Sequence, residues 1–87
     1  MTKTEFKMAI VTWEDSAFTE HSISIEQARQ HPTIINHTIG FVMKQRGKTI
    51  ILSGELNPKA WSCRDTMSIP KGVIKNIQYL QTKKGRG

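Results

Sequence analysis

The sequence predicts a mainly β fold, a small five-stranded barrel carrying one short helix, and three features point to it. Residues 33–54 hold two apolar, β-branched runs separated by Gln45-Arg46-Gly47-Lys48, the pattern of a long, half-buried hairpin. Gly40 stands alone inside the first of those runs, where a lone strand glycine marks a bulge, a bend or a close backbone approach. Pro70-Lys71-Gly72 sets a tight turn before a last apolar run, residues 73–80.

Taken in order, residues 1–4 are expected to be loose. Residues 5–13 alternate Phe6, Met8 and Ile10 against Ala9 and Val11, a first strand with apolar groups on both faces. Glu14-Asp15-Ser16 ends it. Ser24 followed by Gln27 fits a capping box, and Glu26 and Arg29 suit the two ends of the helix dipole. Pro32 disfavours helical geometry at His31, so a helix of about two turns is expected over 24–30, docked through Ile23 and Ile25.

With Arg46-Gly47 as a two-residue turn, the hairpin pairs Met43 with Ile50 and Phe41 with Leu52 on one face. On the other, Val42 meets Ile51, Lys44 meets Thr49 and Gly40 meets Ser53. Arg46 resists positive φ, so a four-residue turn is the alternative. Gly40 is the expected site of the bend that lets one strand serve both halves of a closed sheet. Residues 55–65 lose the alternation and hold the turn signal Asn57-Pro58. Trp61 in that loop is either a lid over the core or an exposed contact residue, and its apolar area favours the lid. Residues 66–69 read as a short fourth strand and 73–80 as the fifth, with Ile77 and Tyr79 on one face. Residues 1–82 form one domain, and 83–87 are expected to be a disordered basic tail.

At 87 residues the chain has room for one domain with a modest core. Its single cysteine, Cys63, cannot form an internal disulfide, and the opening run is too short and too charged for a signal peptide or membrane span. A cytoplasmic protein without a membrane partner is the expectation. The net charge of +6 is unevenly placed. Residues 1–26 carry five carboxylates against Lys3 and Lys7, a net −3; residues 29–87 carry eleven Lys or Arg against Glu55 and Asp65, a net +9. That asymmetry suggests an anionic partner, nucleic acid first and acidic protein second; the plainer reading is a solvated basic surface.

Catalysis needs converging groups, and the sequence offers none. His21, His31 and His37 lie at spacings of ten and six, unlike common zinc sites. His37 reads as a hydrogen-bonded, semi-buried strand histidine, and Glu14-Asp15 as a polar strand end rather than an acid–base pair. Cys63 has no evident histidine partner, and Gly40 and Gly47 make no phosphate loop. No catalytic residue, metal or small-molecule cofactor is expected. The candidate nucleic-acid-binding residues are Lys44, Arg46 and Lys48 at the hairpin tip, Lys71 and Lys75 flanking the last strand, and Lys83, Lys84 and Arg86 in the tail.

The segment Ile39-Gly40-Phe41-Val42 resembles the hydrophobic-Gly-x-hydrophobic centre of the first Sm motif, and Lys71-Gly72-Val73-Ile74-Lys75-Asn76-Ile77 resembles the second. Over residues 39–80 the chain is therefore similar to Sm-like proteins, including bacterial and phage-associated members, with the SH3-like barrel as the other version of the fold. The resemblance implies a small barrel that assembles through its edge strands. Arg46 stands where the family has an acidic residue and Ile50 where its uridine-contacting asparagine falls, so the base pocket is not implied. The family's helix also precedes its first strand, whereas this one follows a strand. Two functions are expected: an Sm-like module contacting RNA or DNA phosphates, or a homo-oligomeric assembly module of phage type whose charge is incidental.

Overall fold

The computed structural model describes residues 6–81. Five strands, β1 (Met8–Asp15), β2 (Ile34–Lys44), β3 (Thr49–Asn57), β4 (Ser62–Pro70) and β5 (Ile74–Leu80), form one antiparallel sheet in the order β4-β3-β2-β1-β5. A single short helix, α1 (Ile25–Arg29), interrupts the connection from β1 to β2. The mainly β expectation therefore holds. The expected closure does not: β4 and β5 form the two edges and share no ladder among the described residues. Pro70 ends β4 beside Thr49, a 3₁₀ turn over Lys71–Val73 follows, and Ile74 then pairs with Trp13 of β1 instead of with β4.

The core draws on four strands. Ala9 and Val11 of β1, Val42 of β2, Ile50 and Leu52 of β3 and Ile69 of β4 are buried, with Trp13, Val73, Ile74 and Ile77 packed around them. Directly opposite residues share a face, so Val42 with Leu52, Ile50 with Ile69 and Val11 with Ile77 build one inner surface. Each fully buried Val, Leu or Ile contributes roughly 1.5–3 kcal/mol. The opposite face carries Met8 beside Phe41 and Ile10 beside Ile39, which is why β1 reads as apolar on both sides.

The hairpin register differs from the expected one. Phe41 pairs with Ser53, Val42 with Leu52 and Lys44 with Ile51, and the register steps between Val42 and Lys44, leaving Met43 as an extra residue. The connection takes four residues, 45–48, and Gly47 alone holds positive φ, at 85°. Arg46 is thus spared the left-handed region that a two-residue turn would demand of it. Gly40 is buried with ordinary φ; a Cβ there would lie 2.9 Å from the Ser53 carbonyl oxygen. The close approach falls at Gly40 and the bulge three residues later. Between them β2 exchanges β1 for β3, with Phe41 paired to both.

Residues 55–65 are mostly strand rather than loop. β3 runs to Asn57 and β4 starts at Ser62, with Glu55 opposite Arg64 and Leu56 opposite Cys63. The alternation vanishes there because nearly all of this stretch is exposed, so no inner face selects apolar residues. Trp61 is not a lid: it sits in the turn with φ 54° and is 67% exposed. The capping box is present, the Gln27 amide donating to Ser24 Oγ at 3.0 Å and the Ser24 amide to Gln27 Oε1 at 3.0 Å. The helix does not dock as expected: it buries no residue, and Ile23 and Ile25 stay exposed. The expected loose residues 1–4 and tail 83–87 lie outside the described residues.

Gly40→Ala should destabilise the fold by about 1–3 kcal/mol, because the added methyl meets backbone that cannot rotate away. Urea unfolding measures this, and a change within about 0.5 kcal/mol would show that Ser53 has room to retreat.

Candidate nucleic-acid interface

The hairpin tip gathers four of the predicted residues. Lys44 ends β2, Arg46 and Lys48 lie in the loop, and all three are exposed. Lys71 joins them because the 3₁₀ turn folds against the loop: its amide donates to the Lys48 carbonyl at 2.8 Å and its ammonium to the Gln45 carbonyl. Lys75 does not belong to this group. It lies on β5, and its Nζ is 3.0 Å from Glu14 Oε1. Lys83, Lys84 and Arg86 lie outside the described residues.

The structure adds Lys7, which the charge count had placed in the acidic segment, residues 1–26. Its carbonyl accepts the Val42 amide at 2.7 Å, setting it beside the end of β2. Its ammonium sits 5.4 Å from the centroid of the Tyr79 ring, and the Tyr79 hydroxyl donates to Gln45 Oε1. A shallow hollow lined by Phe6, Lys7, Met43, Lys44 and Arg46 opens next to it. Only the β1–β2 register brings Lys7 here, and no local sequence signal marks it. Among the described residues the ion pairs are Glu14–Lys75 and Glu55–Arg64, so Lys7, Lys44, Arg46, Lys48 and Lys71 face no carboxylate of the described residues within ion-pair distance.

Beyond the hollow, Phe6 and Trp61 meet at a ring-centroid distance of 5.9 Å and an angle of 45°. With Met43, Leu56, Pro58 and Cys63 they line a small apolar recess of about 230 Å³. The sequence reading missed this pairing, since the two rings lie 55 positions apart (61 − 6) and Phe6 precedes β1.

Among the described residues, His, Cys, Asp and Glu nowhere gather three together. His37 is hydrogen-bonded through Nδ1 to Thr12 Oγ1 at 2.9 Å, but is exposed rather than semi-buried, because β2 presents that face to solvent. The Thr33 hydroxyl donates to Glu14 Oε2, and with Lys75 it draws the Glu14 carboxyl below the ordinary carboxylate range. The Ser53 hydroxyl, and after it that of Thr66, lowers the Cys63 thiol in the same way. No helix among the described residues is long and apolar enough to cross a membrane. The chain matches no protein-family model, and searches of curated proteins and of solved structures find no similar one.

Two titrations follow from these contacts. Folding favours ionised Glu14, so its stabilisation is full above the unfolded carboxylate pKa and is lost as pH falls through the lowered folded value. An NMR titration should place the Glu14 midpoint below that of a free glutamate, moving up in Thr33→Val; an unmoved midpoint would remove the hydroxyl as the cause. Cys63 is exposed and should alkylate at lower pH than an unstructured cysteine, with Thr66→Val shifting the rate profile upward. Identical profiles for the protein and a short cysteine peptide would contradict it.

Proposed function

We propose that the protein is a non-enzymatic nucleic-acid-binding module of a small barrel-like β architecture, contacting phosphates through the hairpin tip. The observation that carries this reading is the set Lys7, Lys44, Arg46, Lys48 and Lys71, five cations at one end of the sheet with no ion-pair partner among the described residues. Such a cluster suits a polyanion, whose counterions are released when lysine and arginine take their place. The contacts are with backbone phosphates, which position a strand without reading its bases. The strand order, the close approach at Gly40 and the 3₁₀ turn before β5 support the Sm-like or SH3-like reading of the fold. The single cysteine, which has no partner for an internal disulfide, agrees with a cytosolic setting.

A homo-oligomeric assembly role is the second reading, favoured by nine large apolar side chains exposed among the described residues. Where such side chains lie together they mark a contact surface.

Anisotropy titrations of labelled RNA and DNA between about 50 and 200 mM salt test the first reading. With four or five phosphate contacts on a single strand, log K should fall with log salt at a slope of roughly −3. Arg46→Glu should weaken binding and flatten that slope by about one, and removal of residues 83–87 should flatten it further. No binding at low salt, or a slope unchanged by Arg46→Glu, would refute phosphate contact at the tip.

A further inference from the structure

We infer that the protein self-associates head to tail, the Phe18 side chain of one copy seating in the Phe6–Trp61 recess of the next. Phe18 lies in the connection between β1 and α1, 85% exposed, and is the most exposed large apolar side chain among the described residues. The recess is apolar, and at about 230 Å³ it falls below the roughly 300–1,000 Å³ of pockets for drug-sized ligands. It is sized for one anchoring side chain. Aromatic anchors in desolvated pockets are what protein interfaces use as hot spots.

The chain's own Phe18 is not placed to fill it. Phe18 follows Asp15, which pairs with Ile34 at one end of the β1–β2 ladder, while Phe6 precedes Met8, which pairs with Phe41 at the other. The eight residues of β1, at about 3.4 Å each, stand between them. The occupant is therefore a second copy.

Charge argues for the same occupant. Asp15 and Glu20 flank Phe18, while Lys7, Lys44 and Arg46 line the hollow adjoining the recess and exposed Lys59 follows Pro58 on its rim. An acidic knob and a basic socket on one chain are complementary between copies. They are also different surfaces, so the contact is heterologous and runs to a closed ring or a filament, according to whether the rotation closes.

The test uses wild type, Phe18→Ala and Trp61→Ala, freed of nucleic acid, so that it does not depend on the phosphate-binding reading. Sedimentation velocity across a concentration series should show wild type forming species larger than a dimer. Each variant should raise the self-association Kd by about thirtyfold or more, the effect of truncating a hot-spot anchor. Circular dichroism checks that both remain folded, and Phe18, being exposed, gives the variant that cannot fail through core loss. Mixing the two is the decisive measurement: the Trp61→Ala chain offers an intact Phe18, the Phe18→Ala chain an intact recess, and the mixture should form dimers and nothing larger. A wild type that stays monomeric would overturn the inference. So would a mixture that stays monomeric, or a Trp61→Ala chain that keeps the wild-type mass while Phe18→Ala does not.

Discussion

The fold turns on the passage of β2 from one partner strand to the other. Within a few residues it leaves β1 and takes up β3, and its Gly40 lies so close to Ser53 that no Cβ could stand between them. An ordinary strand residue here would hold the two ladders apart, and Val42 could not reach Leu52 on the inner face. The bulge at Met43 completes the change by turning the strand end, since the unpaired residue increases the local twist. The tip then lies where the Lys71 amide can reach the Lys48 carbonyl and Tyr79 can reach Gln45. One missing side chain therefore helps assemble a cationic surface from three parts of the chain.

The rest of the molecule is divided unevenly about that point. The buried core is small and lies within the sheet, while α1 and the connections on either side of it bury almost nothing. A five-residue helix has too few hydrogen bonds to stand on propensity, so its capping box settles the local geometry without providing a docking face. Side chains tie β1 to its neighbours: Thr12 with His37 and Trp13 Nε1 donating to Thr38 at 2.9 Å reach across to β2, and Glu14 with Lys75 reaches across to β5. Such exposed contacts are individually weak. They fix the geometry of these ladders and contribute little to the stability of the whole.

Much of this was legible where local chemistry decides the outcome. The capping box at Ser24 and Gln27, the long hairpin and the tight turn at Pro70 depend on neighbours a few residues apart, and the sequence shows them. Register depends on which backbone angles a turn can supply, and moving the left-handed position onto Gly47 alone was enough to shift every pair. β4 was read too short because most of Cys63–Ser68 faces solvent, leaving no alternation to detect. The site divided along the same line. Lys44, Arg46 and Lys48 are neighbours in sequence and stay together, whereas Lys7 arrives only through the β1–β2 ladder. Lys75, close to Lys71 in sequence, is carried away to Glu14 by the start of β5.

Edge protection does not account for the cations at the tip. Charged residues on exposed strands discourage edge-to-edge pairing, and the edge strand β4 has its own in Arg64 and Asp65, the former paired with Glu55. The cations of the hairpin tip lie in and beside the loop between β2 and β3, and the Lys71 turn is bonded across that loop. Five cations drawn close together repel one another, weakly in water but over distances comparable to the Debye length of about 8 Å at physiological salt. The fold adds to that concentration, using the Lys71 ammonium to tie the 3₁₀ turn to the Gln45 carbonyl rather than to neutralise a carboxylate. A polyanion laid across the tip would turn the repulsion into attraction.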